Sequence, residues 1–141
     1  MGAWGVGILE NDESLDWIGE EYSSAGVEAV RDALQDAVDT SAHDHLDIDA
    51  GTAARVAAEV VAASFDAAGA ELDNEALETL KEHADQVAEH DDLPALALIA
   101  VARLVADNSE LHELWCEGSE DKSTAWQNVM ADLASRLEGL R

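Results

Sequence analysis

Apolar residues return at helical spacing along almost all of this chain, and no stretch alternates apolar with polar residues as a half-buried strand would. Val27, Val30, Leu34 and Val38 form one such stripe, Leu77, Leu80, Ala84 and Val87 another, and Trp126, Val129, Met130, Leu133 and Leu137 a third. Spacings of three and four residues place side chains on one helix face, and the alanine, leucine and glutamate that dominate here are strong helix formers. The expected fold class is all-α.

Polar and small residues punctuate that pattern. Asn11 or Asp12 caps a first helix running to Tyr22, and Ser23, Ser24 and Gly26 interrupt it. A second helix covers 25–39, and the polar stretch 40–49 follows, with Asp47 or Asp49 capping a third helix over 50–67. In that helix Val56, Val60, Val61 and Ser64 share a face with small neighbours. A turn at 69–74 leads to a fourth helix over 74–89, and Asp92 with Pro94 opens a fifth. Leu96, Leu98, Ile99, Val101, Ala102, Leu104 and Val105 make this fifth helix apolar nearly all round. It is therefore expected to be the most buried element, where Ile99→Ala would cost about 2–5 kcal/mol.

Asp107-Asn108-Ser109 reads as a break with a new cap, Leu111, Leu114 and Trp115 as a short sixth helix ended by Gly118, and Asp121 or Ser123 as the cap of the last helix. Connections are short and no internal repeat is found. The reading is one compact helical bundle of about six to seven helices over residues 1–141. Trp4 and Trp17, amphipathic anchors set among Gly2, Gly5 and Gly7, predict an N-terminal arm docked on the bundle.

The chain carries 32 acidic residues against 7 basic ones, a formal net charge of −25. That surface repels phosphate backbones and anionic membranes, so neither nucleic acid nor membrane is expected as a partner. No run of about 18 apolar residues is available for a span, and no signal peptide is recognised. A lone cysteine, Cys116, suits a reducing compartment, and the cytoplasm is the expected location. A hydrophobic content of 48% argues against disorder. Abundant aspartate with only Lys81 and Lys122 as lysines looks like the protein style of extreme halophiles, whose carboxylate repulsion salt screens.

Candidate chemistry is sparse. In an extended stretch His43 and His45 point the same way, and with Asp47 or Asp49 they could ligate a divalent metal, the single cofactor to consider. The plainer reading is a solvated loop with an aspartate cap. His112 and Cys116 lie four apart on one helix face, yet Trp115 beside them argues for packing. His83 and His90 read as surface residues of an acidic helix. Glu10, Asp12, Glu13 and Asp16 would make an acid and base pair only if burial raised one pKa; their plainer role is to occupy a helix N-terminus.

Residues 1–17, beginning Met-Gly-Ala-Trp-Gly and continuing to Asn11-Asp12, resemble the opening of an uncharacterised prokaryotic domain family of unknown function. The stretch from Ala106 to Trp115, with Asn108-Ser109-Glu110-Leu111 leading to Leu114-Trp115, is similar to that family's later block, and a terminal helix with Trp126 and Ser135-Arg136-Leu137 fits too. The resemblance implies no activity. It implies that Trp4, Asn11, Asp12, Asp107, Asn108 and Trp115 occupy signature patches, and of these Trp4, Asn11, Asp12, Asp107 and Asn108 are the candidate interaction residues. The leading expectation is an acidic protein-interaction module, regulatory or immunity-type, for a basic protein surface. A metal-dependent hydrolase using the His43/His45 loop and a non-catalytic, salt-adapted housekeeping protein are the alternatives.

Overall fold

A computed structural model describes residues 7–9, 12–41, 43–70 and 72–140. The elements, in order, are α1 (Asp12–Trp17), a π-helical turn (Ile18–Tyr22), α2 (Ser23–Ala25), α3 (Val27–Asp39), α4 (Ile48–Ser64), α5 (Asn74–Leu80), α6 (Ala84–Ala88), α7 (Leu93–Leu104), α8 (Glu110–Cys116) and α9 (Glu120–Glu138). They pack as an all-α bundle with α4 at its centre, touching α1, α3 and every helix from α5 to α9. Among the described residues no helix is long and apolar enough to cross a membrane.

The first expected helix passes through a π turn at Ile18–Tyr22 and continues to Ala25. Gly26 ends it at φ +60°, where a Cβ would lie 3.0 Å from Gln86 Oε1 and 3.2 Å from the His83 ring, so backbone conformation and crowding both call for glycine. Tyr22 is fully buried; its hydroxyl donates to Leu80 O at 2.7 Å and accepts from His83 N at 3.0 Å. Burial pushes this phenol above its ordinary pKa, although the bond from His83 opposes the shift. His83 also packs edge-on to Tyr22 at 5.1 Å and His90 sits 3.3 Å from Arg31, so neither is the bare surface residue expected. The anticipated helix over 74–89 is two helices, since residues 81–83 form turns where the chain closes over the Tyr22 hydroxyl.

Burial departs from expectation on one large point. The most buried helix is α4, in which every residue from 54 to 64 is buried, and not α7. Small alanines and valines let α3 and α7 pack closely on α4 as well as on each other. In contrast α7 buries Leu93, Ala97, Ala100, Val101 and Leu104 but leaves Ile99 at 55% and Val105 at 40% exposure. Ile99 is a solvent-facing residue, and truncating it removes no core contact of the kind anticipated.

The described part of the N-terminal arm is docked: Ile8 is buried in the core and Arg55 Nη2 donates to Gly7 O at 3.0 Å. Trp4 and Asn11 lie outside the described residues. Trp17 is half-buried against the core and stacks on Tyr22 with ring centroids 6.0 Å apart. The last helix starts before either expected cap, Asp121 or Ser123, and is capped by Ser119, whose Oγ accepts from Lys122 N at 3.2 Å.

Candidate functional site

The polar loop before α4 and the break before α8 meet and hold one another. Leu46 pairs with Ser109 as an isolated parallel bridge, with Leu46 N donating to Asn108 O at 2.8 Å and Glu110 N donating to Leu46 O at 2.9 Å. Beneath them lies Arg103, 8% exposed near the end of α7. Its guanidinium donates to the carbonyls of Thr40 (2.9 Å), Ser41 (3.2 Å), Asp44 (2.8 Å), Asp107 (3.1 Å) and Asn108 (3.2 Å). A planar fork of donors with a permanent charge suits this clamp, which a lysine could not reproduce.

The break divides its work between neighbours. Asn108 stands at φ +61°, a left-handed conformation that asparagine tolerates better than most side chains. The cap is Ser109, whose Oγ accepts from His112 N. Glu110 reaches across to take Ile48 N at 2.7 Å, and Asp47 Oδ1 takes Ala50 N at 2.9 Å. The starts of α4 and α8 are thus capped by this chain's own oxygens, which fit the partial positive charge there.

Acidic residues gather beside these helix starts. Glu13 of α1 is held above its ordinary pKa by desolvation, by a hydrogen bond with Asp49 and by repulsion from Asp49, Asp16 and Glu110. Asp49 belongs to the first turn of α4 and Glu110 to that of α8. Glu13 at the start of α1 and Glu110 at the start of α8 therefore both meet the first turn of α4. The partner that perturbs Glu13 most is Asp49, which lies outside the N-terminal acidic run.

The loop residues proposed as metal ligands are placed separately. His43 and His45 are exposed, Asp47 is committed to its cap, Asp49 turns to Glu13, and His45 Nε2 lies 3.4 Å from Glu113 Oε1. Among the described residues no three His, Cys, Asp or Glu side chains come together in a group able to hold a metal ion. Of the candidate interaction residues, Asp12 is exposed at the start of α1, and Asp107 and Asn108 are exposed at the break.

Asp107 and Asn108 line a surface cavity of about 550 Å³ with His112, Glu113, Cys116 and Glu117. His112 also lines a second depression, a groove of about 590 Å³ between α7 and α9. Leu98 and Val105 line its α7 side and Ala134 its α9 side, Val101 and Met130 make its floor, and Glu138 lies among its lining residues. Behind His112 stands Trp126, fully buried and packed edge-on to the imidazole at 5.8 Å. Cys116 is half-buried and lies 3.6 Å from the Gln127 amide nitrogen, so it packs beside α9 as a small side chain.

The sequence reading assigned no role to the arginines, yet each one described is a strut. Arg31 holds Asp92 through two bonds of 2.7 and 3.0 Å, keeping that carboxyl below its usual range. Arg136 binds both oxygens of fully buried Glu59 at 2.7 and 2.9 Å, and also Ala67 O and Asp132. The available signal was register: Arg55 stands between Ala54 and Val56, and Arg103 between Ala102 and Leu104, where an acidic chain spends scarce cations inside apolar helices.

One sequence family, described as Domain of unknown function (DUF4259), matches residues 2–129, a span containing both the acidic opening and the 107–110 block. No curated protein and no solved structure matches the chain.

Proposed function

The chain belongs to the DUF4259 family, a domain family of unknown function, and we propose that this member is an acidic protein-interaction module, a regulatory or immunity-type partner for a basic protein surface. The observation that carries this reading is the outward face of α7. Ala95, Ile99, Ala102 and Val105 are exposed there at helical spacing with no charge among them, although the chain carries a net −25. An apolar stripe on an otherwise acidic surface marks a place where another molecule excludes water. Surrounding carboxylates would speed encounter with a cationic partner more than they would tighten the complex. The cytoplasm is the proposed location, which the single, partly buried cysteine suits.

The test is crosslinking and affinity recovery from the native lysate, with Ala102→Glu as the comparison. Ala102 is exposed, so its variant should keep the wild-type melting temperature. A partner recovered by the wild type and lost by the variant is the expected outcome. Identical recovery by both proteins would remove the α7 face from any binding role.

A further inference from the structure

We infer that the occupant of this face, where Ala102 and Val105 border the α7–α9 groove, is an amphipathic helix of a basic partner, seated with its apolar side in that groove and its Lys- or Arg-bearing end in the acidic cavity beside His112. The inference rests on reading the chain as an interaction module and specifies what that module holds. Half-buried Leu98 and exposed Val105 stand on the α7 side and half-buried Ala134 on the α9 side, over a floor made by the buried Val101 and Met130. From 98 to 105 the α7 side runs about 10 Å, two helical turns, the length presented by anchors at i, i+3, i+4 and i+7 of a docked helix. Exposed Ala102 and Ala131 keep the lips low, so a third helix can ride between α7 and α9 by ordinary ridge-and-groove packing.

Charge selects among occupants. The groove and the cavity lined by Asp107, Glu113 and Glu117 share His112, and among the described residues lining the groove itself Glu138 is the one charged side chain. A Lys or Arg following an apolar helical stripe would meet those carboxylates in turn. A second copy of this chain would bring its own net charge of −25 to the same place, and like-charge juxtaposition disfavours that pairing. Complementarity therefore favours a cationic helix over self-association.

The probe is a synthetic peptide of about 18 residues with Leu and Ile at i, i+3, i+4 and i+7 and lysines clustered at one end. A scrambled peptide of equal composition and a Lys-to-Glu analogue serve as controls, and binding to the full chain is read by fluorescence anisotropy. The patterned peptide alone should bind. Ala102→Glu should weaken it at least about tenfold, while Ser24→Glu, which adds the same charge on α2, should change it little. Asp107→Asn combined with Glu117→Gln should weaken binding and flatten its salt dependence.

Equal binding of patterned and scrambled peptides, or binding indifferent to Ala102→Glu, would overturn the inference. So would sedimentation showing a wild-type dimer that Ala102→Glu dissociates, which would give the face to a second copy. Failure of the patterned peptide, with a lysate partner still lost on Ala102→Glu, would remove the helical occupant and leave the interaction role standing. Failure of both would remove both.

Discussion

Replacing Arg103 by alanine should destabilise the protein by roughly 3–5 kcal/mol, because the change unties two loops at once. One cation that is 8% exposed makes five carbonyl contacts of 2.8–3.2 Å. Hydrogen bonds to a charged group contribute about 1.5–3 kcal/mol each, but their sum overstates the loss. Nη2 serves three of the acceptors with two hydrogens, and Ser41, Asp44, Asp107 and Asn108 are exposed enough for water to replace part of what is removed. For a domain of this size the expected fall in Tm is roughly 10 °C. Arg103→Lys keeps the charge and loses the fork, so it should recover less than half of the deficit and thereby separate hydrogen bonding from net charge.

Hydrogen exchange localises the effect. The amides of Leu46 and Glu110, which form the bridge, should exchange faster by more than global destabilisation explains, while amides in the middle of α4 should follow global stability alone. A melting temperature within about 2 °C of wild type for Arg103→Ala, or full rescue by lysine, would refute the clamp.

Glu13 binds its proton more tightly folded than unfolded, so its contribution to stability is fully present below the ordinary value of 4.5 and is lost as pH rises through its raised folded pKa. Glu13→Gln should accordingly gain melting temperature over wild type at about pH 7 and lose that advantage near pH 4; an equal difference at both would exclude the carboxylate cluster as the cause. Glu59→Ala leaves Arg136 buried without its main acceptor and should cost about 3–5 kcal/mol by urea denaturation, whereas loss of under 1 kcal/mol would place the pair in effective contact with water. Ile99→Ala should change stability by less than about 0.5 kcal/mol while Leu133→Ala, in the core, costs about 2–5 kcal/mol, and comparable losses would return α7 to the centre of the bundle. Melting temperature should climb between about 0.1 and 1 M KCl as carboxylate repulsion is screened; a flat profile would count against salt adaptation.

Local signals were legible in the sequence because they are written within one turn of chain. The 3.6-residue periodicity specified helices, Asp47 or Asp49 announced the start of α4, and Asp107-Asn108-Ser109 announced a break. The division of labour at that break was not legible, since both Asn108 and Ser109 can cap and only the surrounding backbone puts the former at positive φ and the latter in the cap. Nor was the centre of the bundle. An apolar helix such as α7 states how much it could bury, but neighbours decide which faces they cover, and close approach favoured the alanine-rich α4. The same holds for the site. Glu13 meets Asp49, and Arg103 gathers carbonyls from segments about sixty residues apart, through contacts that no local pattern encodes. Composition determined that cations would be scarce; packing alone decided that Arg55 and Arg103 would be buried struts and that an uncharged helix face would be left to solvent.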